Sequence, residues 1–296
     1  MKISECLQEY LIDHEIRGNS KHTIRYYDKN ITSFMAFTGD ILISSVNVNH
    51  LKSYYLYLKT KPVTSVTIQT YIRAVRAFLT WCYHEEYISF NLSDKFKLPK
   101  AARKVIDVLT NDEIHILLSS FNTKTFIGLR NICICLLMLD SGLRLNEVVC
   151  LNVGSLHLSE GYIVVRGKGN KERFVPVGLN TKKYLLRYVH SFRNSDIKTA
   201  LFVKDTLCRI EITTIRQLFR RLKVKTGISR LRPHLLRHTF ATRYLENGGD
   251  VYSLQSILGH TTLEMTKRYV QTTPFKLAVT FSNYSPVDNI KKTLMS

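Results

Sequence analysis

Apolar residues recur at helical spacing through the first third of the chain, with short polar breaks between the segments. In the first segment Ile3, Leu7, Tyr10 and His14 lie three or four positions apart, and a glycine follows shortly afterwards. The same spacing returns in three later stretches, TIRYYDKNITSFMAFTG, VNHLKSYYLYLK and TSVTIQTYIRAVRAFLTWCYHEEYI. The pattern predicts a small helical domain over residues 1–97.

The helical pattern stops at residues 98–108, where proline and basic residues predict an interdomain linker. Thr110 then predicts the N-cap of a new helix, because Glu113 can complete a capping box. Helical spacing continues except in GYIVVRGKGNKERFVPVG, whose β-branched segments flank Gly-Lys-Gly-Asn and predict a hairpin. The predicted fold class is mainly α, with a helical first domain and an α+β second domain, residues 109–296, that holds a small antiparallel sheet.

The charge of the chain is strongly positive and unevenly distributed. The 296 residues carry a formal net charge of +20. Residues 1–100 hold 13 basic and 9 acidic side chains, whereas residues 101–296 hold 30 and 14. Such an excess favours a polyanionic partner for the second domain, with a solubilising surface as the alternative.

Composition indicates an intracellular protein. The longest apolar run, Ile132 to Leu139, falls short of the ~20 residues that span a bilayer, and the N-terminus lacks a signal-peptide core. The six cysteines are scattered, and Cys133 and Cys135 lie inside that apolar run. This favours buried reduced thiols over disulfides or a metal site. We expect a cytoplasmic protein without membrane contact.

Positive charge is crowded into LRPHLLRHTF, where Pro233 predicts the first turn of a helix. His234, Arg237 and His238 then share one face, at the end where the helix dipole disfavours cations by roughly 0.3–1 kcal/mol each. A bound anion would resolve this conflict, and phosphate is the usual anion at a helix N-terminus. The stretch therefore predicts a phosphate site.

A second basic position lies in DSGLRLNEVVCL, residues 140–151. The apolar residues predict a helix with one buried side, which leaves Arg144 and Glu147 as an i, i+3 pair on the other side. A surface ion pair is one interpretation. The break at Gly142 supports another, because a helix that begins there would aim Arg144 at the same kind of anion as Arg237.

The hairpin and a later helix carry further basic groups. Gly167 and Gly169 flank a lysine at the hairpin tip and allow a close approach to another backbone, which a merely solvated lysine does not require. The tip and its flanks form a basic finger suited to a nucleic-acid groove, made of Arg166, Lys168, Lys171 and Arg173. The segment TTIRQLFRRLKVKTG predicts a helix with a basic face made of Arg216, Arg220 and Lys223. This face either contacts the DNA backbone or is exposed to solvent.

Two other kinds of site fit the motifs poorly. His234 and His238 have the i, i+4 spacing of a zinc pair, but no glutamate lies as in H-E-x-x-H and an arginine lies between them. The Gly-Lys-Gly tip lacks the glycine spacing of a Walker phosphate loop and the hydroxyl residue after the lysine. The remaining candidates, His260 and Tyr269, lie in SILGHTTLEMTKRYVQ.

Four motifs strongly resemble the catalytic domain of the tyrosine recombinases, the phage-integrase and Xer family. In chain order they are SGLRLNE, VVRGKGNKERFVPV, PHLLRHTFATRYLENGGDVYSLQSILGH and TKRYVQT. The helical residues 1–97 resemble the family's core-binding domain, and the overall length resembles simple Xer-type members. The resemblance implies a site-specific recombinase that acts in the nucleoid on a double-stranded DNA core site as a homotetramer, with a second related recombinase as an open possibility.

The resemblance also implies a role for each candidate residue. Tyr269 is the nucleophile, Arg144 and Arg237 clamp the scissile phosphate, and Lys168 protonates the leaving 5′ oxygen. The two histidine positions of the site are filled by His234 and His260, and the two supporting positions are filled by Glu147 and His238. His238 is expected behind the site, and the histidine expected to take the tyrosine proton is His234.

The implied chemistry explains these residue types. Two fixed guanidiniums neutralise the charge that gathers on the non-bridging oxygens when a phenol attacks a phosphodiester. The 3′-phosphotyrosine keeps the bond energy, so a 5′ hydroxyl reverses the step without ATP, and no metal or other cofactor is expected. A type IB topoisomerase-like relaxing enzyme and a DNA-binding regulator with an idle active site are the alternatives. The sequence does not identify the target site. It also leaves open whether the role is chromosome dimer resolution or movement of a mobile element, and the positive charge slightly favours a mobile element.

Residues 274–296 form a separate segment of the second domain. Pro274 interrupts the helix of the tyrosine, and an apolar stretch from Phe275 to Phe281 follows, which needs a groove to fill. The segment packs on its own domain in one interpretation. The resemblance instead implies its donation to a neighbouring protomer, which closes a ring of four and leaves only half of the subunits active at once.

Overall fold

The structure is a computed structural model that describes four stretches of the chain, residues 1–96, 107–167, 171–193 and 198–270. The chain divides into two compact units, residues 1–104 and 105–296. Of the predicted linker, only Asp107 and Val108 belong to the described residues.

Helices form the first unit at the places where apolar spacing predicted them. They are α1 (Ile3–Ile16), α2 (Lys21–Thr38), α3 (Val48–Thr60) and α4 (Ser65–His84), with a 3-10 helix at Ile43–Ser45. Ser20, Asn47 and Thr64 cap α2, α3 and α4, because each side-chain oxygen accepts a backbone N–H of the first turn. The enclosed core is rich in aromatic side chains, among them Tyr10, Phe34, Tyr54, Phe78 and Trp81.

The described part of the second unit combines eight helices with one small sheet. The helices are α5 (Asn111–Ser119), α6 (Phe126–Leu139), α7 (Leu145–Cys150), α8 (Leu179–Phe192), α9 (Ile212–Thr226), α10 (Pro233–Glu246), α11 (Val251–Leu258) and α12 (Leu263–Lys267), with a 3-10 helix at Val153–Ser155. The antiparallel sheet has the order β1 (Leu156–His157), β2 (Tyr162–Arg166), β3 (Glu172–Pro176). The predicted fold class is confirmed.

The predicted hairpin is formed by β2 and β3, with Tyr162 opposite Pro176 and Arg166 opposite Glu172. Ile163 of β2 is fully buried, as β-strand alternation requires of one face. Strand β1 was not predicted from the sequence, because a strand of two residues is too short to show an alternating pattern.

Helix α10 is held at its start and along its length. Pro233 begins the helix, as predicted, since the proline has no N–H to leave unpaired in the first turn. Further along, the Thr239 hydroxyl accepts the backbone N–H of Leu109 at 2.9 Å, and the helix packs on the buried helix α6. Side chains near the start of α10 are therefore presented from a fixed position.

All six cysteines are free, as the sequence predicted. Cys133 and Cys135 are buried in α6, and Cys6 and Cys82 are buried in the first unit. Cys150 and the sixth cysteine, at position 208, are exposed, so burial was predicted correctly for four of the six. Within the stretches that the structure describes, no helix is long and apolar enough to cross a lipid bilayer.

Candidate active site

The carboxylate of Glu147 is buried beneath arginines from three different elements. Arg173 of β3 donates to both carboxylate oxygens, each at 2.9 Å. Arg144, which immediately precedes α7, donates from its backbone N–H and from its guanidinium, both at 2.8 Å. Arg237 of α10 lies 4.0 Å from the same carboxylate. One carboxylate faces three guanidiniums, so the cluster keeps a positive excess that suits an anion.

The arginines keep Glu147 ionised despite its burial. Burial alone would raise the pKa of this carboxyl group, but hydrogen bonds from Arg173 and then from Arg144 outweigh it and hold the pKa below its ordinary value. Burial and the neighbouring Arg144 lower the pKa of Arg237 to about 10, which still leaves the guanidinium charged at neutral pH. The site therefore combines fixed charges of both signs with a net positive balance.

Two sequence predictions about this cluster need correction. Glu147 was expected on the exposed side of its helix, but its side chain is only 6 % exposed, because the partner that buries it comes from a distant strand. Arg173 was expected in the basic finger, yet its guanidinium binds Glu147 and the carbonyl of Ile257 at 2.8 Å. Arg173 is thus part of the support of the cluster.

Backbone carbonyls fix the two arginines that were predicted to bind phosphate. Arg237 donates to the carbonyls of Gly142 at 2.6 Å and Leu258 at 2.8 Å, and Arg144 donates to the carbonyl of Gly259 at 3.3 Å. Gly142 has a φ of +65°, a conformation that favours glycine, and its missing side chain leaves room for a phenylalanine ring of α10. The turn at Gly142, predicted from the sequence as a helix break, therefore places the carbonyl of Gly142 within hydrogen-bond distance of Arg237.

His260 connects Arg237 with the helix that precedes Tyr269. Arg237 donates to Nε2 of His260 at 3.2 Å, and Nδ1 of His260 lies 2.9 Å from the Thr266 hydroxyl. The His260 ring stacks on the Tyr269 ring at 6.3 Å between centroids. Burial and then Arg237 lower the pKa of His260 to about 4, so the ring is neutral at pH 7.

Tyr269 follows α12 and is buried within the site. Its hydroxyl lies 2.8 Å from Nδ1 of His238, and the guanidinium of Arg268 lies over its ring at 5.1 Å from the centroid. Burial raises the pKa of the phenol, opposed in part by Arg268 and then Arg237. The phenol therefore keeps its proton at neutral pH until a base removes it.

The two histidines of α10 differ in their surroundings. His238 was expected behind the site, but its ring contacts the tyrosine hydroxyl directly, and its Nε2 lies 3.3 Å from Arg268. His234 lies one turn earlier with its ring 6.4 Å from that of His238, and it forms no hydrogen bond to another residue in the described stretches. His234 is consequently available to a group that enters the site.

The remaining basic candidates that belong to the described stretches do not join this cluster. Lys168 lies outside the described residues. Arg166 is exposed and pairs with Glu172 at 2.7 Å, and Lys171 is exposed beside it. The basic face predicted on α9 is outward, with exposed Arg216 and Arg220 and half-buried Lys223.

Arg268 was not predicted as a residue of the site, because a basic residue beside a tyrosine has no spacing that sets it apart from other surface arginines. The carbonyls of Leu258 and Gly259 were not predicted either, since a backbone acceptor leaves no mark in a sequence. Among the described residues, no group of three or more His, Cys, Asp or Glu side chains is arranged to hold a metal ion.

Both units of the chain match known protein families. Residues 107–274 match the phage integrase family, and residues 4–98 match the phage integrase SAM-like domain. The tyrosine recombinase XerD of Oceanobacillus iheyensis is 33% identical over 281 residues, which cover 91% of this chain and 94% of that protein.

Two solved structures show a similar fold. Residues 82–397 of the Tn1549 transposon integrase, in complex with circular intermediate DNA, have a TM-score of 0.78 at 22% identity, over 95% of this chain and 99% of the solved chain. A lambda integrase tetramer bound to a Holliday junction has a TM-score of 0.72 at 16% identity, over 88% and 78% of the two chains.

The fold and the site define an enzyme of the tyrosine recombinase class. The chain belongs to the phage integrase family, and it is similar to the tyrosine recombinases XerD and XerC.

Proposed function

We propose that this recombinase cuts and rejoins DNA strands at a specific site through a covalent 3′-phosphotyrosine bond to Tyr269. The observation that carries the proposal is that His260 links Tyr269 to Arg237, one of the two arginines proposed to bind phosphate. His260 accepts a hydrogen bond from Arg237 and stacks on Tyr269, so one ring fixes both. A phosphate held by Arg144 and Arg237 then lies beside the phenol oxygen.

The proposed first step exchanges one phosphate ester for another. His234 takes the proton from the Tyr269 hydroxyl, the phenol oxygen attacks phosphorus, and the bond from phosphorus to the 5′ oxygen breaks. Lys168 gives a proton to the departing 5′ oxygen. Arg144 and Arg237 neutralise the charge on the non-bridging oxygens, which is greatest in the transition state.

Rejoining reverses the same steps. A 5′ hydroxyl of a second strand attacks the phosphotyrosine, and the phenol of Tyr269 leaves with its proton restored. The bond energy stays in the phosphotyrosine throughout, so the cycle needs no ATP, and arginines supply the charge stabilisation that a metal ion supplies in other phosphoryl-transfer enzymes.

The proposed partner is a double-stranded DNA core site. The net charge of +20 supports this partner, and so do the exposed Arg216 and Arg220 on one outward face of α9. Arg166 and Lys171 are proposed to contact DNA beside the hairpin tip. A partner of this kind implies work at the nucleoid in the cytoplasm, alone or with a second related recombinase.

We further propose that four copies assemble on DNA by exchange of residues 274–296, a segment outside the described residues. A groove of about 890 Å³ on the second unit supports this assignment, because its lining is largely apolar. The lining includes Ile114, Leu118, Leu139, Phe240, Tyr244 and Ile257. The apolar stretch from Phe275 to Phe281 has the chemistry to fill such a groove in a neighbouring copy.

Removal of residues 275–296 tests this exchange. We expect the truncated chain to bind a single half-site normally and to lose cooperative assembly on the full site. If the truncated chain assembles and recombines like the intact chain, the exchange proposal is wrong.

A plasmid assay tests the function against its two alternatives. DNA that the full chain selects from a random pool supplies the site, and a supercoiled plasmid then carries that site in two copies, in one copy or in none. We expect a recombined product only with two copies. A type IB topoisomerase-like enzyme would relax all three plasmids, and an idle regulator would bind the site and leave every strand intact.

A further inference from the structure

The ring of His238 lies between the tyrosine hydroxyl and a guanidinium. Nδ1 lies 2.8 Å from the Tyr269 hydroxyl oxygen, and Nε2 lies 3.3 Å from Nη2 of Arg268. The Arg268 guanidinium also lies over the Tyr269 ring, 5.1 Å from its centroid, so the three side chains contact one another. Both ring nitrogens of His238 are therefore engaged, and each partner restricts where the proton of the ring can be.

The partner of Nε2 determines the tautomer. A guanidinium has N–H donors and no acceptor, so Nε2 must offer its lone pair to Arg268. In a neutral imidazole the other nitrogen then carries the proton, and Nδ1–H donates to the oxygen of Tyr269. The opposite tautomer would place an N–H of His238 against an N–H of Arg268, which is repulsive.

The surroundings keep the ring neutral. Burial, then Arg268, His234, Arg232 and Arg237, lower the pKa of His238 to about 4. A cationic ring, with protons on both nitrogens, would face Arg268 with a donor. At neutral pH the ring therefore has one proton, and the position of that proton follows from Arg268.

We propose that His238, as the neutral Nδ1–H tautomer fixed by Arg268, is a catalytic residue that donates a hydrogen bond to the phenol oxygen of Tyr269. This inference rests on the proposed role of Tyr269 as nucleophile. His238 keeps its proton throughout and does not serve as the base. With Nδ1–H as the donor, the hydroxyl proton of Tyr269 is directed away from His238, and the donated hydrogen bond stabilises negative charge on the oxygen as that proton leaves for the base. The same donor stabilises the phenol oxygen when it departs during rejoining.

Nitrogen NMR of the free protein tests the tautomer without any reaction. In a sample with ¹⁵N-labelled histidine at neutral pH, the His238 signals are assigned by their loss in His238→Asn. We expect the protonated nitrogen to be Nδ1, although free histidine prefers the proton on Nε2. In Arg268→Gln the amide offers its own acceptor to the ring, so we expect the proton to move to Nε2. A proton on Nε2 in the natural chain, or an unchanged tautomer in Arg268→Gln, would overturn the proposal.

Kinetics of covalent adduct formation on nicked DNA test the hydrogen bond. An asparagine amide can place its N–H near the position of Nδ1, whereas the longer glutamine amide reaches the position of Nε2. We expect His238→Asn to keep most of the rate, and His238→Gln and His238→Leu to lose about 10²- to 10³-fold, the usual loss for a donor to developing charge. DNA affinity should not change in any of them.

The variants separate this proposal from the proposed function. Equal rates in His238→Asn and His238→Gln, or a full rate in His238→Leu, would remove the hydrogen bond from catalysis while adduct formation by the natural chain still supports the recombinase. An adduct that persists in Tyr269→Phe would instead overturn the nucleophile, whatever the NMR result. The His238 signals can be assigned equally from their loss in His238→Gln or His238→Leu, so a failure of one of these variants to fold leaves the tautomer of the natural chain testable.

Discussion

Arg173 and Glu147 form a bidentate ion pair with both contacts at 2.9 Å, and their side chains are only 13 % and 6 % exposed. The pair joins β3 of the hairpin to α7. Glu147 also accepts a hydrogen bond from the guanidinium of Arg144, the arginine proposed to bind phosphate. Arg144 is therefore fixed to the sheet through the pair of Glu147 and Arg173. Arg173 thereby links the hairpin, whose tip carries the proposed acid, to the arginine cluster.

Loss of this pair should destabilise the protein. In Arg173→Ala the carboxylate of Glu147 stays buried with a partner removed, so we expect the free energy of unfolding to fall by about 3–5 kcal/mol. Urea unfolding measures this value. Arg166→Ala is the matched control on the same hairpin, because its pair with Glu172 is exposed and is worth about 1 kcal/mol or less. Equal losses in the two variants would show that Arg173 does not support the cluster.

The turn at Gly142 should tolerate no side chain. A Cβ at this position would lie 2.4 Å from Cδ1 of Phe240, and φ is +65°. We expect Gly142→Ala to lower the free energy of unfolding by about 2–4 kcal/mol, from backbone strain and overpacking together. Gly161→Ala is the control, since φ there is +83° but no atom lies within 4 Å of the added carbon. A loss no larger than that of the control would remove the packing argument.

Two histidines of the site should make stability depend on pH. The pKa values of His238 and His260 are lowered from 6.5 to about 4 in the folded protein. Between about pH 6.5 and pH 4 these histidines are protonated in the unfolded chain and neutral in the folded chain. The free energy of unfolding therefore falls as the pH decreases through this range. Denaturant unfolding at several pH values measures the slope. The double variant His238→Asn, His260→Gln should show a shallower slope over this range, and an unchanged slope would contradict the assignment.

Lys168 should matter only when the leaving group needs a proton. We expect Lys168→Ala to cleave ordinary DNA slowly and to recover much of the rate on a substrate with sulfur at the 5′ bridging position, whose departure needs no protonation. Cleavage rates on the two substrates measure the recovery. Equal defects on both would exclude Lys168 as the acid. A chelator is expected to leave both rates unchanged, because no metal takes part in the proposed steps.

Local patterns predicted the elements of this protein well. The first four helices follow from apolar spacing, the hairpin from β-branched segments around a glycine-rich turn, and the start of α10 from Pro233. Thr110 and Glu113 form the predicted capping box. In each case the physical cause lies within a few residues, so a short window of sequence contains it.

Long-range contacts set the limits of the prediction. Glu147 is buried by Arg173, which lies 26 positions away, and Arg237 reaches the carbonyl of Gly142 across 95 positions. No local spacing encodes either contact. The family motifs contain Arg144, Arg237 and Tyr269, which the folded chain brings together around His260, but the direct contact of His238 with Tyr269 and the approach of Arg268 became visible only in the folded chain.

The attachment point of the DNA tests the central claim most directly. A nicked DNA site lets the cut strand diffuse away, so the covalent product accumulates, and mass spectrometry of its peptides locates the nucleotide. Tyr252, a tyrosine of the same unit that is 71% exposed, provides the matched control variant Tyr252→Phe. We expect the natural chain and Tyr252→Phe to carry DNA on Tyr269, and Tyr269→Phe to bind the site with equal affinity and form no adduct. A denaturant-resistant adduct in Tyr269→Phe, or DNA attached to any other residue of the natural chain, would contradict the account.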